Sequence, residues 1–186
     1  MKKTEKEKML SGQMYSPQDA ALTKEREYCK TMCCKYNSLL PSMVFEKDAI
    51  IKKLFKKAGD DFTIEPNFWC DYGYNITIGD NFYSNHNLTI LDCAEVIFGD
   101  YVFIGPNCSF YTAEHPLDST IRNSGIEYAK PIRVGNNVWI GGSVTVLSGV
   151  TIGDNAVIAA GAVVTKDIPE DCVAAGCPAR IVKRVD

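Results

Sequence analysis

Aliphatic residues recur at every sixth position in the second half of the chain, and this spacing restricts the fold more than any other feature. The series runs without a slip from Val134 to Val164. A helix repeats near 3.6 residues and a strand near 2, so a unit of six residues fits a short strand followed by a sharp turn. Three such units make one triangular coil. The repeat therefore predicts a solenoid of short strands.

Stacking of successive coils explains which residues occupy the repeat. Ile140 then lies beneath Ile158, and Val146 beneath Val164, in parallel strands about 4.8 Å apart. A second inward position, four residues after each aliphatic residue, holds Val138, Val144, Val150, Ala156 and Ala162. Gly, Asn and Asp occupy the corners, as in Gly135 and Asn137, where the backbone turns sharply or approaches another coil.

The same signal begins before Val134, at Ile78, and it is interrupted twice. Between Ile90 and Phe98 the step is eight residues instead of six, which predicts two extra residues at a corner near Asp92 and Cys93. The larger break is the segment 111–131, which keeps the overall count of the repeat but has none of its pattern. We expect it to be a loop that leaves the solenoid, and long ordered loops on a rigid scaffold usually have a function.

The segments on either side of the solenoid have a different character. Residues 1–60 show apolar spacings of three to four, which predict two helices separated by Pro41, with Asp19 near the N-cap of the first. We assign residues 61–170 to the solenoid and residues 171–186 to a C-terminal cap, which such a fold needs. The expected class is mostly β.

Composition excludes several kinds of protein. With 186 residues, 46% hydrophobic and 23% charged, the chain is typical of a globular domain. A net charge of -3 argues against nucleic acid as the main partner. No apolar run approaches the length of a membrane span, and the N-terminus lacks the apolar core of a signal peptide. We expect a cytoplasmic protein with no membrane partner.

Eight cysteines are present, and we expect them to be reduced thiols. No CxxC pair exists, and Cys29 and Cys33 have the spacing of one helix face, so burial in a helix is preferred to metal binding. Cys108 occupies a small inward position of the repeat. We therefore predict no metal site.

Only two histidines are available for chemistry near neutral pH, and one of them, His115, lies in the 111–131 loop. Histidine is the usual general base at that pH. His86 lies between two asparagines and is interpreted as pocket lining or structure.

Several longer motifs resemble one family, the hexapeptide-repeat acyltransferases, and within it the maltose and galactoside O-acetyltransferase group. The motifs are EKEKMLSGQMY, IEPNFWCDYGYNITIGDNFYSN, EHPLD, PIRVGNNVWIGG, VTIGDNAVIAAGAVVTKDIP and AAGCPARIVKR. The resemblance covers nearly the whole chain. It implies a homotrimer of left-handed parallel β-helices that transfers acetyl from acetyl-CoA to a sugar hydroxyl.

The resemblance also implies residue roles. His115 would be the catalytic general base, and the backbone N–H of Gly142 would stabilise the oxyanion. Glu114, Glu127 or a backbone carbonyl would orient the imidazole. The residues implied for acetyl-CoA are Gly142, Ala160, Thr165, Lys166, Arg180 and Lys183.

For the acceptor, the resemblance implies Asp71, Tyr83 and Asn85, with Asp19 a looser match. Carboxylates and amides suit ligands rich in hydroxyl groups. The chain departs from the galactoside enzyme at Cys93, where that enzyme carries an acidic residue, so a galactoside preference is not implied. Trp69 and Trp139 are interpreted either as apolar walls of the site or as core residues.

Three alternatives to this function are considered. A γ-type carbonic anhydrase shares this solenoid but binds zinc through three histidines, which two cannot supply. A purely structural or binding solenoid would not need the interrupted segment with its histidine. The runner-up among enzymes is an O-acetyltransferase for a non-sugar hydroxyl, such as that of serine or an antibiotic.

Overall fold

Three helices precede the solenoid in the computed structural model, which describes residues 3–185. They are α1 (Glu5–Leu10), α2 (Ala20–Ser38) and α3 (Val44–Leu54), and a fourth, α4 (Ser119–Asn123), lies further along the chain. Both predicted helices are present, as α2 and α3, and Asp19 is confirmed as the N-cap of α2. The additional helix α1 is only six residues long, too short for apolar periodicity to reveal it.

Short strands make up most of the remaining chain. In chain order they are β1 Phe62–Ile64, β2 Phe68–Cys70, β3 Ile76–Thr77, β4 Phe82–Ser84, β5 Leu88–Leu91, β6 Val96–Phe98, β7 Phe103–Ile104, β8 Ser109–Tyr111, β9 Ala113–Glu114, β10 Tyr128–Ala129, β11 Ile132–Val134, β12 Trp139–Ile140, β13 Thr145–Val146, β14 Thr151–Ile152, β15 Val157–Ile158, β16 Val163–Val164, β17 Cys172–Ala175 and β18 Arg180–Arg184. The predicted class, a mostly β parallel solenoid, is confirmed.

Three sheets form the faces of a β-helix of about six turns. The first face has the order β1-β4-β7-β12-β15-β17-β18, the second β2-β5-β8-β13-β16, and the third β3-β6-β11-β14. All solenoid strands pair in parallel, except that β18 folds back antiparallel on β17 at the C-terminal end.

The predicted register is confirmed in the second half of the solenoid, where Ile140 pairs with Ile158 and Val146 with Val164. The earlier coils are longer. Phe62 pairs with Phe82, for example, a separation of two residues more than in the later coils. The extra residues lie in eight-residue steps, one at the predicted position near Asp92 and another, which the sequence analysis missed, directly after Cys70.

The inward positions form one continuous apolar core, with Val146 and Ile152 fully buried. Phe82, Phe98 and Phe110 stack in its middle, with ring centroids 5.2 and 4.9 Å apart. Such edge-to-face pairs stabilise beyond the area they bury, by about 0.5–1.5 kcal/mol each.

The corners need the residue types that the repeat places there. A Cβ on Gly135 would lie 2.8 Å from the backbone nitrogen of Asp154, so only glycine lets these two coils approach. Asn137 and Asn155 both have φ of 56°, in the left-handed region that asparagine tolerates better than most residues.

The predicted loop at 111–131 contains some regular structure. Strands β9 and β10 pair antiparallel at its base, and helix α4 lies between them. Among the described residues, no helix has the length and apolar character required to cross a lipid bilayer.

Candidate active site

The interruptions of the repeat all fall at the same corner of the solenoid. Strands β2, β5 and β8 are neighbours in one sheet, and each is followed by a departure from the six-residue step. The first departure contains Asp71, the second contains Asp92 and Cys93, and the third is the loop with His115. Stacking of the coils therefore gathers chemically active residues that are far apart in sequence.

Asp92 organises this corner from inside. It is fully buried, and its Oδ1 accepts hydrogen bonds from the backbone N–H groups of Asp71 and Tyr72, both at 2.9 Å. Burial raises the pKa of Asp92 to about 8. Because this carboxyl is buried in the protein interior, it is not exposed to an acceptor.

Asp71 lies half-buried above Asp92, and the Cys93 thiol donates to its Oδ2 at 3.7 Å. Burial raises the pKa of Asp71, and the positive charge of Arg26 opposes this shift. Arg26 projects from α2 and donates to the Tyr72 hydroxyl at 2.6 Å. Sequence reasoning missed Arg26, because nothing in the helical pattern of α2 indicates which charged residue turns toward the solenoid.

The two glutamates considered as partners of His115 have different surroundings. Glu114 accepts hydrogen bonds from Tyr128 at 2.7 Å, from Lys130 at 3.0 Å and from the Ser148 hydroxyl. Hydrogen bonding and the Lys130 charge lower the pKa of Glu114, although desolvation is the largest single influence and acts in the opposite direction. The Glu114 side chain is therefore already hydrogen-bonded at the base of the 111–131 loop.

Glu127 is the glutamate that interacts electrostatically with His115. Burial raises the pKa of Glu127, the charge of His115 lowers it, and the negative charge of Asp71 raises it further. Glu127 is therefore influenced by the charges of both His115 and Asp71. The Glu127 backbone also pairs with Tyr15, which brings the N-terminal segment to this corner.

Two other residues considered in the sequence analysis have structural contacts. The Asp19 carboxylate accepts from the backbone N–H groups of Ala21 and Leu22, at 3.0 and 3.2 Å, as the cap of α2. The exposed His86 ring hydrogen-bonds to the carbonyl of Pro66. Neither contact requires a ligand.

Tyr83 and Asn85 lie elsewhere, on the first face of the solenoid. They line an open cavity of about 480 Å³ together with Phe103, Gly105 and Trp139. The loop with His115 emerges next to a different sheet, so one chain does not bring Tyr83 and Asn85 together with His115 in this cavity. Trp139 and Trp69 are 59% and 39% exposed, which excludes the core role considered for them.

Gly142 and Ala160 occupy stacked corners of adjacent coils. The N–H of Gly161 donates to the Gly142 carbonyl at 2.9 Å, and a Cβ on Gly141 would lie 2.6 Å from the Ala160 nitrogen. Within residues 3–185, the N–H groups of Gly142 and Ala160 donate to no backbone carbonyl. This edge therefore offers backbone donors to a ligand that lies along it.

The other residues considered for acetyl-CoA lie near the C-terminal end of the solenoid. Thr165 and Lys166 directly follow β16, while Arg180 and Lys183 lie on the β18 hairpin strand, and all four are exposed. Exposed cations at this end fit a ligand that carries phosphates.

Comparison with known proteins shows which family the chain resembles. Residues 8–59 match the family model of the maltose acetyltransferase hexapeptide capping motif, and residues 131–166 match the model of the bacterial transferase hexapeptide. The galactoside O-acetyltransferase of Escherichia coli is 42% identical, over 97% of this chain and 89% of that protein.

Two solved structures are similar over nearly the full length. A maltose O-acetyltransferase from Clostridium difficile is 49% identical, with a TM-score of 0.98, over 99% of this chain and 98% of the other. A hexapeptide-repeat acetyltransferase from Vibrio cholerae, in complex with acetyl coenzyme A, is 38% identical, with a TM-score of 0.91, over 99% of this chain and 100% of the other. The chain therefore belongs to the hexapeptide-repeat acyltransferases, in the maltose and galactoside O-acetyltransferase group.

Proposed function

We propose that this protein is an acetyl-CoA-dependent O-acetyltransferase that acetylates a sugar hydroxyl, of the maltose, glucose or galactoside type, with His115 as general base. The observation that carries the proposal is the single corner at which the coils containing Asp71, Asp92 and the His115 loop all leave the six-residue step. A corner that combines a histidine with carboxylates suits both a base and a ligand with several hydroxyl groups.

The proposed reaction is a direct transfer without a covalent enzyme intermediate. The acceptor oxygen attacks the thioester carbonyl carbon while its proton passes to the His115 imidazole. The carbon–sulfur bond then breaks, and the sulfur of CoA leaves with that proton. A positioned base typically contributes about 10²- to 10⁴-fold to such a step.

Two backbone and side-chain groups assist this reaction. The Gly142 N–H donates to the oxyanion that develops on the carbonyl oxygen, a role that needs no side chain. Glu127 orients the imidazole, because Glu114 is already bound to Tyr128, Lys130 and Ser148. Glu127 acts here as a positioning residue.

The donor occupies the solenoid edge. The pantetheine arm of acetyl-CoA is an extended chain with amides, which suits the backbone groups of Gly142 and Ala160. Thr165, Lys166, Arg180 and Lys183 then contact the phosphate end, where charge-assisted hydrogen bonds are strongest.

The protein acts as a homotrimer in this proposal. Asp71 and His115 lie at one corner, whereas Tyr83 and Asn85 lie on another face beside the exposed Phe103 and Trp139. A neighbouring copy that packs on this face brings its corner to Tyr83 and Asn85, so each site contains residues from two chains. Asp19 caps α2 in this proposal, and it contributes to the acceptor site only by positioning the N-terminal segment.

One assay tests the proposal. Purified protein is mixed with acetyl-CoA and a panel of glycosides, free sugars and non-sugar alcohols, and release of the CoA thiol is followed. We expect turnover with sugars. Turnover confined to a non-sugar hydroxyl, such as that of serine, would replace the acceptor class, and no turnover with any alcohol would favour a non-catalytic binding solenoid. The cytoplasmic location stays a prediction.

A further inference from the structure

Three buried cysteine side chains meet where helix α2 packs on strand β2. Cys29 and Cys33 lie one turn apart on α2, and Cys70 is the last residue of β2. The Cys70 sulfur lies 3.4 Å from that of Cys29 and 3.9 Å from that of Cys33, and all three sulfurs lie within 4.8 Å of one another. We call Cys29, Cys33 and Cys70 the thiol cluster.

The size of the thiol cluster matches that of a metal site. Three sulfurs bound at about 2.3 Å around one central ion are about 4 Å apart, close to the separations found here. Among residues 3–185, no histidine or carboxylate joins the three sulfurs as a fourth ligand. Soft sulfur ligands select soft ions, and a set of three without a fourth favours an ion that accepts three-coordination.

We propose that the thiol cluster binds one soft, thiophilic metal ion of the Cu(I) class through three sulfur ligands. Each metal–sulfur bond replaces a sulfur–hydrogen bond, the proton goes to solvent, and no electron is transferred. This proposal does not depend on the acetyltransferase function.

The elements on both sides of the thiol cluster are held in place by other contacts. Asn37, one turn after Cys33 on α2, donates to the carbonyl of Phe68 at 2.9 Å and accepts from its N–H at 2.8 Å. On the other side, Arg26 of the same helix bonds the Tyr72 hydroxyl. Because these contacts dock the helix on the strand, the three sulfurs are positioned before any ion binds.

The competing explanation is that the cysteines act only as small apolar residues that fill the interface. Cu(I) titration separates the two explanations. The titration uses a Cys34→Ser/Cys177→Ser background, because Cys34 and Cys177 are exposed and would bind Cu(I) independently of the thiol cluster. The protein is kept reduced under anaerobic conditions, and a chromogenic chelator competes for Cu(I).

We expect one Cu(I) per chain, with thiolate-to-metal charge-transfer absorption in the ultraviolet. Cys33→Ala and Cys70→Ala should each weaken Cu(I) binding at least about 100-fold, since even loss of a supporting outer contact costs 10- to 100-fold. Cys172→Ala is the matched control, because Cys172 is equally buried but outside the thiol cluster. It should bind Cu(I) as the background protein does.

Several results would overturn the proposal. One is that the background protein takes no Cu(I) from the chelator. Another is that Cys33→Ala leaves the affinity for Cu(I) unchanged. Tighter binding of Zn(II) than of Cu(I) would overturn the three-coordinate assignment. Cys33→Ala decides the test if Cys70→Ala fails to fold, because alanine suits a helix interior and circular dichroism verifies the fold.

Discussion

Tyr15 and Glu127 exchange both of their backbone hydrogen bonds, one from the Tyr15 N–H at 3.0 Å and one from the Glu127 N–H at 3.2 Å. This bridge joins the segment between α1 and α2 to the loop that leaves the solenoid at 111–131. The loop is thus held at two places, by the bridge and by the β9–β10 pair at its base. A doubly anchored loop can hold His115 in one position, as a general base requires.

Glu127→Gln should lower kcat about 10- to 100-fold, a part of what a positioned base supplies. The amide keeps the size of the side chain but removes the negative charge that interacts electrostatically with His115. The KM for acetyl-CoA should stay unchanged, because Glu127 is not among the residues proposed to contact acetyl-CoA. Glu114→Gln is the matched control and should change kcat by only a few-fold. Equal losses in the two variants would contradict the assignment of Glu127.

His115→Ala should lower kcat at least about 100-fold, because the acceptor hydroxyl then keeps its proton during attack. Binding of acetyl-CoA, measured by calorimetry, should persist. His86→Ala provides the control, since His86 is the second of the two histidines and its ring contacts only the Pro66 carbonyl among the polar groups described. Wild-type turnover by the His115 variant would refute the mechanism.

Two inactive variants should restore activity when they are combined in one trimer. His115→Ala and Asn85→Ala affect residues that the trimer proposal assigns to different chains of the same site. Random mixing by co-expression should then give intact sites at about a quarter of the interfaces. The measurement is the specific activity of purified mixed trimers. No recovery in trimers shown to be mixed would mean that each site belongs to one chain, and a monomer in light scattering would exclude sharing altogether.

Lys166→Ala and Arg180→Ala should each raise the KM for acetyl-CoA about 10-fold or more while kcat changes little. Each substitution removes a proposed charge-assisted hydrogen bond to phosphate, an interaction worth about 1.5–3 kcal/mol. Lys57→Ala, an exposed lysine at the opposite end of the solenoid, serves as the control. Initial rates over a range of acetyl-CoA concentrations give both constants. An unchanged KM in both variants would remove the C-terminal cations from the donor site.

The repeat itself allowed the core and the register to be predicted, but only where it is regular. Val134 to Val164 contains one aliphatic residue per six, so Ile140 had to pair with Ile158. The eight-residue step after Cys70 escaped notice because the residues that follow, Asp71 to Asn75, resemble neither a strand nor an obvious loop.

Contacts between the helices and the solenoid could not be predicted in the same way. A helix pattern identifies which face of α2 is buried, but not which strand that face meets. Cys29 and Cys33 were correctly expected on a buried face, yet the approach of Cys70 depends on how α2 docks. The same reason hid the contact between Arg26 and Tyr72. Glu114 and Glu127 were distinguishable only once their hydrogen bonds and charges were known.

Asp92 should make the stability of the protein depend on pH in an unusual direction. Burial raises its pKa in the folded chain to about 8, whereas an aspartate in an unfolded chain titrates near pH 4. The stabilisation by the bound proton is complete below about pH 4 and is lost as the pH rises toward 8. In that window Asp92 lowers the free energy of unfolding by up to about 1.4 kcal/mol per pH unit.

Asp92→Asn removes this dependence, because the amide stays neutral and its oxygen can still accept from the backbone of Asp71 and Tyr72. Urea unfolding at a fixed protein concentration, repeated from about pH 5 to about pH 9, should give a curve for Asp92→Asn that falls less steeply than the wild-type curve. Asp100→Asn is the matched control, since Asp100 also accepts a backbone N–H, from Asp80 at 2.8 Å, but is exposed. Its pH dependence should follow that of the wild type. Parallel curves for all three proteins would mean that Asp92 is ionised in the folded chain, and the raised pKa would then be wrong.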